Sequence, residues 1–144
     1  MKICLVILTG LLTLVSSAYA GDFSDNNNGT ITDNVTGLVW QQSDDYISRS
    51  WEQAISYCEA LVLGRTSDWR LPNVKELRSI VDESKINPAI DLDMFRRTVW
   101  SGYWTSTTYN KISTDAWVVE FAYGYVDYSY KIFSYYVRCV RGGS

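Results

Sequence analysis

The chain has 144 residues, 47% of them hydrophobic and 20% charged, which excludes a disordered polymer and bounds it to a domain of ordinary size with one core. Its 13 basic and 16 acidic residues leave a formal charge of −3, which argues against a general nucleic-acid binder. It contains no histidine, so imidazole is missing both as a catalytic base and as a metal ligand.

Residues 1–20 read as a signal peptide: Lys2 is the charged start, Ile3 to Val15 the apolar run, and Ala18-Tyr19-Ala20 the cleavage site. Cleavage after Ala20 leaves residues 21–144 as a single domain. Gly21 rather than a cysteine directly follows the cleavage site, and no twin arginine precedes the apolar run. The expected destination is the periplasm, the medium or the cell surface of a bacterium, with no membrane insertion after cleavage.

Residues 22–29 form a turn-rich stretch, Asp22-Phe23-Ser24-Asp25-Asn26-Asn27-Asn28-Gly29. Placing Gly29 at the glycine of a calcium-binding EF-hand loop puts Ser24 first and Val35 last. Neither is a carboxylate, so that reading is rejected and no calcium requirement is expected. Thr30 to Asp33 and Leu38 to Gln41 read as short strands around the turn Asn34-Val35-Thr36-Gly37.

Ser50 and Gln53 have capping-box spacing, and Trp51, Ala54, Ile55, Cys58 and Leu61 share one helical face, with Gly64 as the stop. Asn73 and Glu76 repeat that spacing after Pro72, and Val74, Leu77, Ile80 and Val81 form a second stripe. From Asp82 to Trp100 no period holds, which predicts an ordered, irregular loop. Strands are predicted at Tyr103–Thr107, around Trp117–Phe121, at Tyr125–Tyr130 after a turn at Tyr123-Gly124, and at Tyr135–Val140. Hairpin, two helices, long loop and β-meander make an α+β domain with helices segregated from an antiparallel sheet.

Cys4 leaves with the leader, so Cys58 and Cys139 remain as a pair in an oxidising compartment. A disulfide is the favoured reading. The alternative, two free thiols with one as nucleophile, lacks the usual histidine base.

Most of the eleven tyrosines lie between Tyr103 and Tyr136, interspersed with Ser, Thr, Asn, Asp and Gly. That composition suits a recognition surface, because tyrosine offers broad amphipathic contact at low entropic cost. It equally suits an ordinary aromatic β-meander, because tyrosine favours strands. Residues 21–95 are acidic overall and residues 96–144 basic, so an anionic partner would prefer the aromatic part.

Several segments resemble one family. Asn28-Gly29-Thr30-Ile31-Thr32-Asp33 through Trp40 is similar to its opening signature, and Asp68-Trp69-Arg70-Leu71-Pro72-Asn73 through Leu77 to its most specific motif. Tyr103-Trp104-Thr105-Ser106-Thr107, Trp117-Val118-Val119-Glu120-Phe121 and Tyr136-Val137-Arg138-Cys139-Val140-Arg141 complete the match. The chain is identified by these as resembling the Lcl C-terminal domain family, named for a bacterial collagen-like adhesin. The resemblance implies a C-type-lectin-like fold, two helices on a small, mostly antiparallel sheet with a long irregular loop, related to formylglycine-generating sulfatase-modifying enzymes. It also implies adhesion, towards sulfated glycosaminoglycans in the named adhesin. This chain lacks that protein's collagen-like repeat. Similar variable proteins of diversity-generating retroelements carry a diversified C-terminal segment with the composition seen at residues 103–136. The carboxylate motifs of calcium-dependent lectins are missing at Asn87-Pro88-Ala89 and Trp117-Val118-Val119, and the reactive cysteine pair of the enzymes has no counterpart.

The leading expectation is therefore a non-catalytic module that binds a glycan, anionic or not, or a protein surface, with no cofactor and no metal. Tyr109, Asn110, Tyr123, Tyr125, Asp127, Tyr128, Tyr130 and Lys131 lie outside the family-like motifs and are the expected ligand surface. Arg96, Arg97 and Lys111 add charge, whereas Trp40, Trp51, Trp69, Trp117, Arg70 and Arg138 are assigned to the scaffold. The alternatives are a structural envelope protein and an enzyme of the formylglycine-generating type.

Overall fold

Two capped helices and two small antiparallel sheets make up the domain, with both helices contacting the three-stranded sheet. The computed structural model describes residues 21–143, and the expected signal peptide, residues 1–20, lies outside the described residues. One sheet has the order β1 (Phe23–Asp25), β2 (Thr30–Asp33), β3 (Val39–Gln41) and β7 (Val140–Arg141). The other is a meander of β4 (Gly102–Thr108), β5 (Asp115–Glu120) and β6 (Tyr125–Tyr130). The domain is α+β, as expected.

Helix α1 (Trp51–Ala60) opens on Ser50, whose hydroxyl accepts the N–H of Gln53 while the Gln53 side chain accepts the N–H of Ser50. Helix α2 (Val74–Ser79) repeats this device with Asn73 and Glu76. Each box satisfies backbone N–H groups that the first helical turn leaves without partners. Helix α1 stops at Ala60, before the expected Gly64, because Leu63 and Thr66 pair across a tight turn in which Gly64 takes a left-handed φ of 60°.

Two strand assignments differ from expectation. Part of the expected turn at residues 22–29 is strand β1, anchored by Phe23 edge-on against Phe95 at 4.9 Å between ring centroids. The C-terminal segment is not a single strand of the meander. Tyr135 and Tyr136 bridge to Arg49 and Tyr103, and Val140 and Arg141 then join β3 in the other sheet. That segment sews the two sheets together.

Strand β5 of the meander is buried on both faces where it meets the helices. Adjacent residues Val118 and Val119 point to opposite sides, and both are core. Val119 packs with Leu77, Phe95, Tyr103 and Phe121, whereas Val118 packs with Ala54, Cys58, Trp104 and Cys139. Cys58 and Cys139 form the expected disulfide, which ties α1 to the residues just before β7.

A buried polar cluster crosses this core. Arg138, fully buried, donates to the carbonyls of Gln41 at 2.7 Å and Gln42 at 2.6 Å and to the Thr98 hydroxyl at 2.9 Å. Asp44, also buried, accepts the Tyr103 hydroxyl proton and the N–H of Tyr46. Burial pushes the Asp44 carboxyl above its ordinary value and the Tyr103 phenol well above its own. Among the described residues, no helix is long and apolar enough to cross a membrane.

Candidate recognition surface

The β5–β6 hairpin positions most of the expected surface. Its register pairs Trp117 with Tyr128, Val119 with Val126 and Asp115 with Tyr130 on one face, and Val118 with Asp127 and Glu120 with Tyr125 on the other. Cross-strand partners share a face, so the expected residues divide. Tyr128 and Tyr130 stand on the side of α2, and Tyr125 and Asp127 stand on the side of α1.

Tyr109, Trp117 and Tyr128 come together on the α2 side. The rings of Tyr109 and Tyr128 stack at 4.1 Å between centroids with planes 6° apart. Both meet Trp117 edge-on, at 5.0 Å and 6.0 Å. Tyr109 reaches this position because β4 carries a register shift before Thr108, and because the Tyr109 N–H donates to the Asp115 carbonyl. Edge-to-face and offset contacts suit the charge distribution of aromatic rings. Beside the trio runs an open groove of about 390 Å³, lined by Val74, Lys75, Arg78, Trp117 and Val126. Its helical wall is fixed by the Val74 N–H, which donates to the Thr107 hydroxyl of β4, and by the Ser106 N–H, which donates to the Pro72 carbonyl. Lys75 and Arg78 are exposed at its rim.

On the opposite face, Tyr125 neighbours Glu120 and Asp127. Burial, then the nearby Asp127 charge, raises the Glu120 carboxyl above its ordinary value. Tyr123 sits at the exposed hairpin turn, where Gly124 supplies a φ of 82°. Asn110 is exposed beside Tyr109 in the β4–β5 loop. Tyr130 meets the exposed Phe133 edge-on at 6.0 Å. Lys131 is directed inward: its ammonium donates to the Thr108 hydroxyl at 2.9 Å and the Ser113 carbonyl at 3.0 Å, and it lies 4.0 Å over the Trp51 ring. The structure thus gives Lys131 a clamping position between the β4–β5 loop and α1.

Trp117, Lys75 and Arg78 were not singled out from the sequence as surface residues. Trp40 and Trp69 are core, whereas Trp51 and Trp117 are only partly covered. Counting outward from a two-residue Tyr123-Gly124 turn would pair Trp117 with Tyr130; the turn spans residues 121–124 instead, and Trp117 pairs with Tyr128. Lys75 and Arg78 reach the groove only because α2 packs on β5.

Against known families, the model of the Lcl C-terminal domain matches residues 29–141. The chain belongs to that family. No curated protein is similar enough to this Lcl C-terminal domain to count as a match. The family's residues supply the scaffold around the surface just described: Trp104 and Cys139 are core, and Arg70 and Arg138 bind backbone carbonyls within the domain.

Proposed function

We propose that this Lcl C-terminal domain is an exported, non-catalytic recognition module that binds a glycan or a protein surface through its tyrosine-rich segment. The observation that carries the reading is the stacked pair Tyr109 and Tyr128 set edge-on against Trp117, beside a groove with two cations at its rim. An aromatic side chain usually hides its area in the core; here Tyr123, Tyr125, Tyr128 and Tyr130 are each between 42% and 64% exposed. Exposed, mutually braced rings lose little entropy when they bind, and binding hot spots concentrate in Tyr, Trp and Arg. Lys75 and Arg78 favour an acidic partner over a basic one. The disulfide supports an oxidising destination, in keeping with the expected signal peptide.

The test compares two double variants on a glycan array and on cell surfaces. Tyr109→Ala with Tyr128→Ala should abolish binding, with the fold retained. Tyr123→Ala with Tyr125→Ala, on the turn and the opposite face, should weaken it less. Equal binding by wild type and the first variant would reject the groove as the site. Wild-type protein that binds neither arrays nor cells would favour a structural envelope role.

A further inference from the structure

A second aromatic hollow lies on the long loop, with no lining residue in common with the groove. It is an open depression of about 550 Å³ lined by Tyr46, Thr98, Val99, Trp100 and Tyr136. Trp100 is 64% exposed at its rim and Tyr46 52%. Neither ring belongs to the two apolar core clusters. Their exposure is not a by-product of core packing.

Two backbone positions at the hollow, one in its lining and one beside it, are strained. Tyr46 has φ of 62° and Arg97 has φ of 60°, the left-handed region that side chains larger than glycine disfavour. The two meet, with the Arg97 guanidinium carbon 4.2 Å above the centre of the Tyr46 ring. Strain of this kind persists only where surrounding contacts over-determine the backbone, and it concentrates at binding sites.

The buried polar cluster supplies those contacts. Asp44 accepts the Tyr46 N–H at 2.5 Å, and the Tyr103 oxygen accepts the Val99 N–H at 2.8 Å. Arg138 holds the Gln42 carbonyl and the Thr98 hydroxyl. Both walls of the hollow are thus tied to one buried framework, and its geometry is set before any ligand arrives.

We infer that this hollow is a second ligand site, for a saccharide ring stacked on Trp100. The lining residues include no carboxylate, and Arg97 stands at the rim, so a cationic occupant is disfavoured. The hollow is broad and shallow, which suits a flat ring rather than an inserted aliphatic side chain. A pyranose offers one C–H face for the indole and a rim of hydroxyls. Those hydroxyls would meet the phenols of Tyr46 and Tyr136 and the guanidinium of Arg97.

Indole ¹⁵N–¹H spectra provide the test, with the Trp100 resonance assigned from Trp100→Phe. The probes are maltohexaose, cellohexaose, chitohexaose, an oligogalacturonate hexamer and oligothymidylate. At least one saccharide should shift the Trp100 resonance and saturate near about 1 mM. Neutral and acidic members of the panel then separate the two sources of such a ring. By calorimetry, Trp100→Ala should weaken that probe at least about tenfold. Arg97→Gly, which relieves the backbone strain while removing the guanidinium, should weaken it without lowering the melting midpoint. A Trp100 resonance that no saccharide moves at about 10 mM overturns the inference. So does a response to oligothymidylate alone. A shift confined to Trp117 would support the groove and reject the hollow; a shift confined to Trp100 would do the reverse.

Discussion

The guanidinium of Arg70 grips the carboxylate of Glu76 with two parallel hydrogen bonds of 2.8 and 2.7 Å, and Glu76 also accepts the N–H of Asn73. Arg70 further donates to the Gly142 carbonyl at 2.7 Å, and its backbone pairs with Val140. One side-chain pair therefore joins the cap of α2 to the C-terminal strand, which explains why both residues fall in the most specific family-like motif.

Partial burial works against the Glu76 charge, yet the bonds from Arg70 and Asn73 hold its carboxyl below the ordinary glutamate value. A depressed carboxyl stabilises the fold above the unfolded value and stops doing so as pH falls through the folded one. Wild-type stability should thus fall below about pH 4.3 more steeply than that of Glu76→Gln. Glutamine keeps the reciprocal cap, so the variant isolates the charge. At neutral pH its cost should be about 1 kcal/mol, because Arg70 is partly open to solvent. Urea titrations across the acid range measure both, and parallel acid limbs for the two proteins would contradict the argument.

Glu120 has the opposite sign. Burial, followed by Asp127, raises its carboxyl, so its folded form prefers the proton. The stability associated with that proton is present below the unfolded value and is lost as pH rises through the folded one. Glu120→Gln should therefore melt a few degrees higher than wild type at pH 7 and match it at pH 3. A variant less stable than wild type at pH 7 would show that Glu120 makes a favourable contact in its charged form.

Local signals carried much of this fold. Ser50 with Gln53 and Asn73 with Glu76 announce both helices because a capping box spans only four residues. Strand β7 was hidden because its partners, Val39 and Trp40, lie about a hundred residues away, and no local period encodes such a pairing. Strand β1 was masked by the surrounding Asp and Asn residues, which favour turns until Phe23 finds Phe95. At the surface, tyrosine content pointed to the β5–β6 hairpin but not to how its register divides those tyrosines between two faces. Lys131 looked like a free cation on composition, whereas Trp51, distant in sequence, accounts for its position. The hollow at Tyr46 and Arg97 joins two loops and has no sequence period at all.

Arg138 should resist conservative replacement. Its fork reaches the carbonyls of Gln41 and Gln42 and the Thr98 hydroxyl at once. Lysine carries a single nitrogen and cannot span that arrangement. Arg138→Lys should cost about 3 kcal/mol, since hydrogen bonds from a charged donor to buried acceptors are lost. Chemical denaturation gives the value; a loss under about 1 kcal/mol would mean that the acceptors find other partners.

The Cys58–Cys139 bridge closes a separation of 81 residues. In the chain-entropy account, a loop of that length stabilises the fold by about 4–5 kcal/mol. Replacing both cysteines by alanine should lower stability by that order and leave the circular dichroism of any remaining folded fraction unchanged. Intact mass after alkylation, with and without reduction, should differ by two blocked thiols. Two free thiols in protein isolated without reductant would remove the bridge from the account.

The stack of Tyr109 on Tyr128 makes the last prediction, and it separates bracing from binding. Both rings also touch Trp117, so their energies are not independent. A double-mutant cycle with Tyr109→Ala and Tyr128→Ala should give a coupling of about 0.5–1.5 kcal/mol in unfolding free energy, the usual worth of an aromatic pair beyond its buried area. The summed loss should stay well below that of a core aromatic, about 3–5 kcal/mol, because Tyr128 is 44% exposed. Coupling near zero would mean that the rings stack without bracing each other. A loss at the core level would make these tyrosines structural and return the meander to an ordinary packed sheet. Between those limits the rings hold each other in place while their outer faces stay free, which is the condition under which an exposed aromatic cluster can bind.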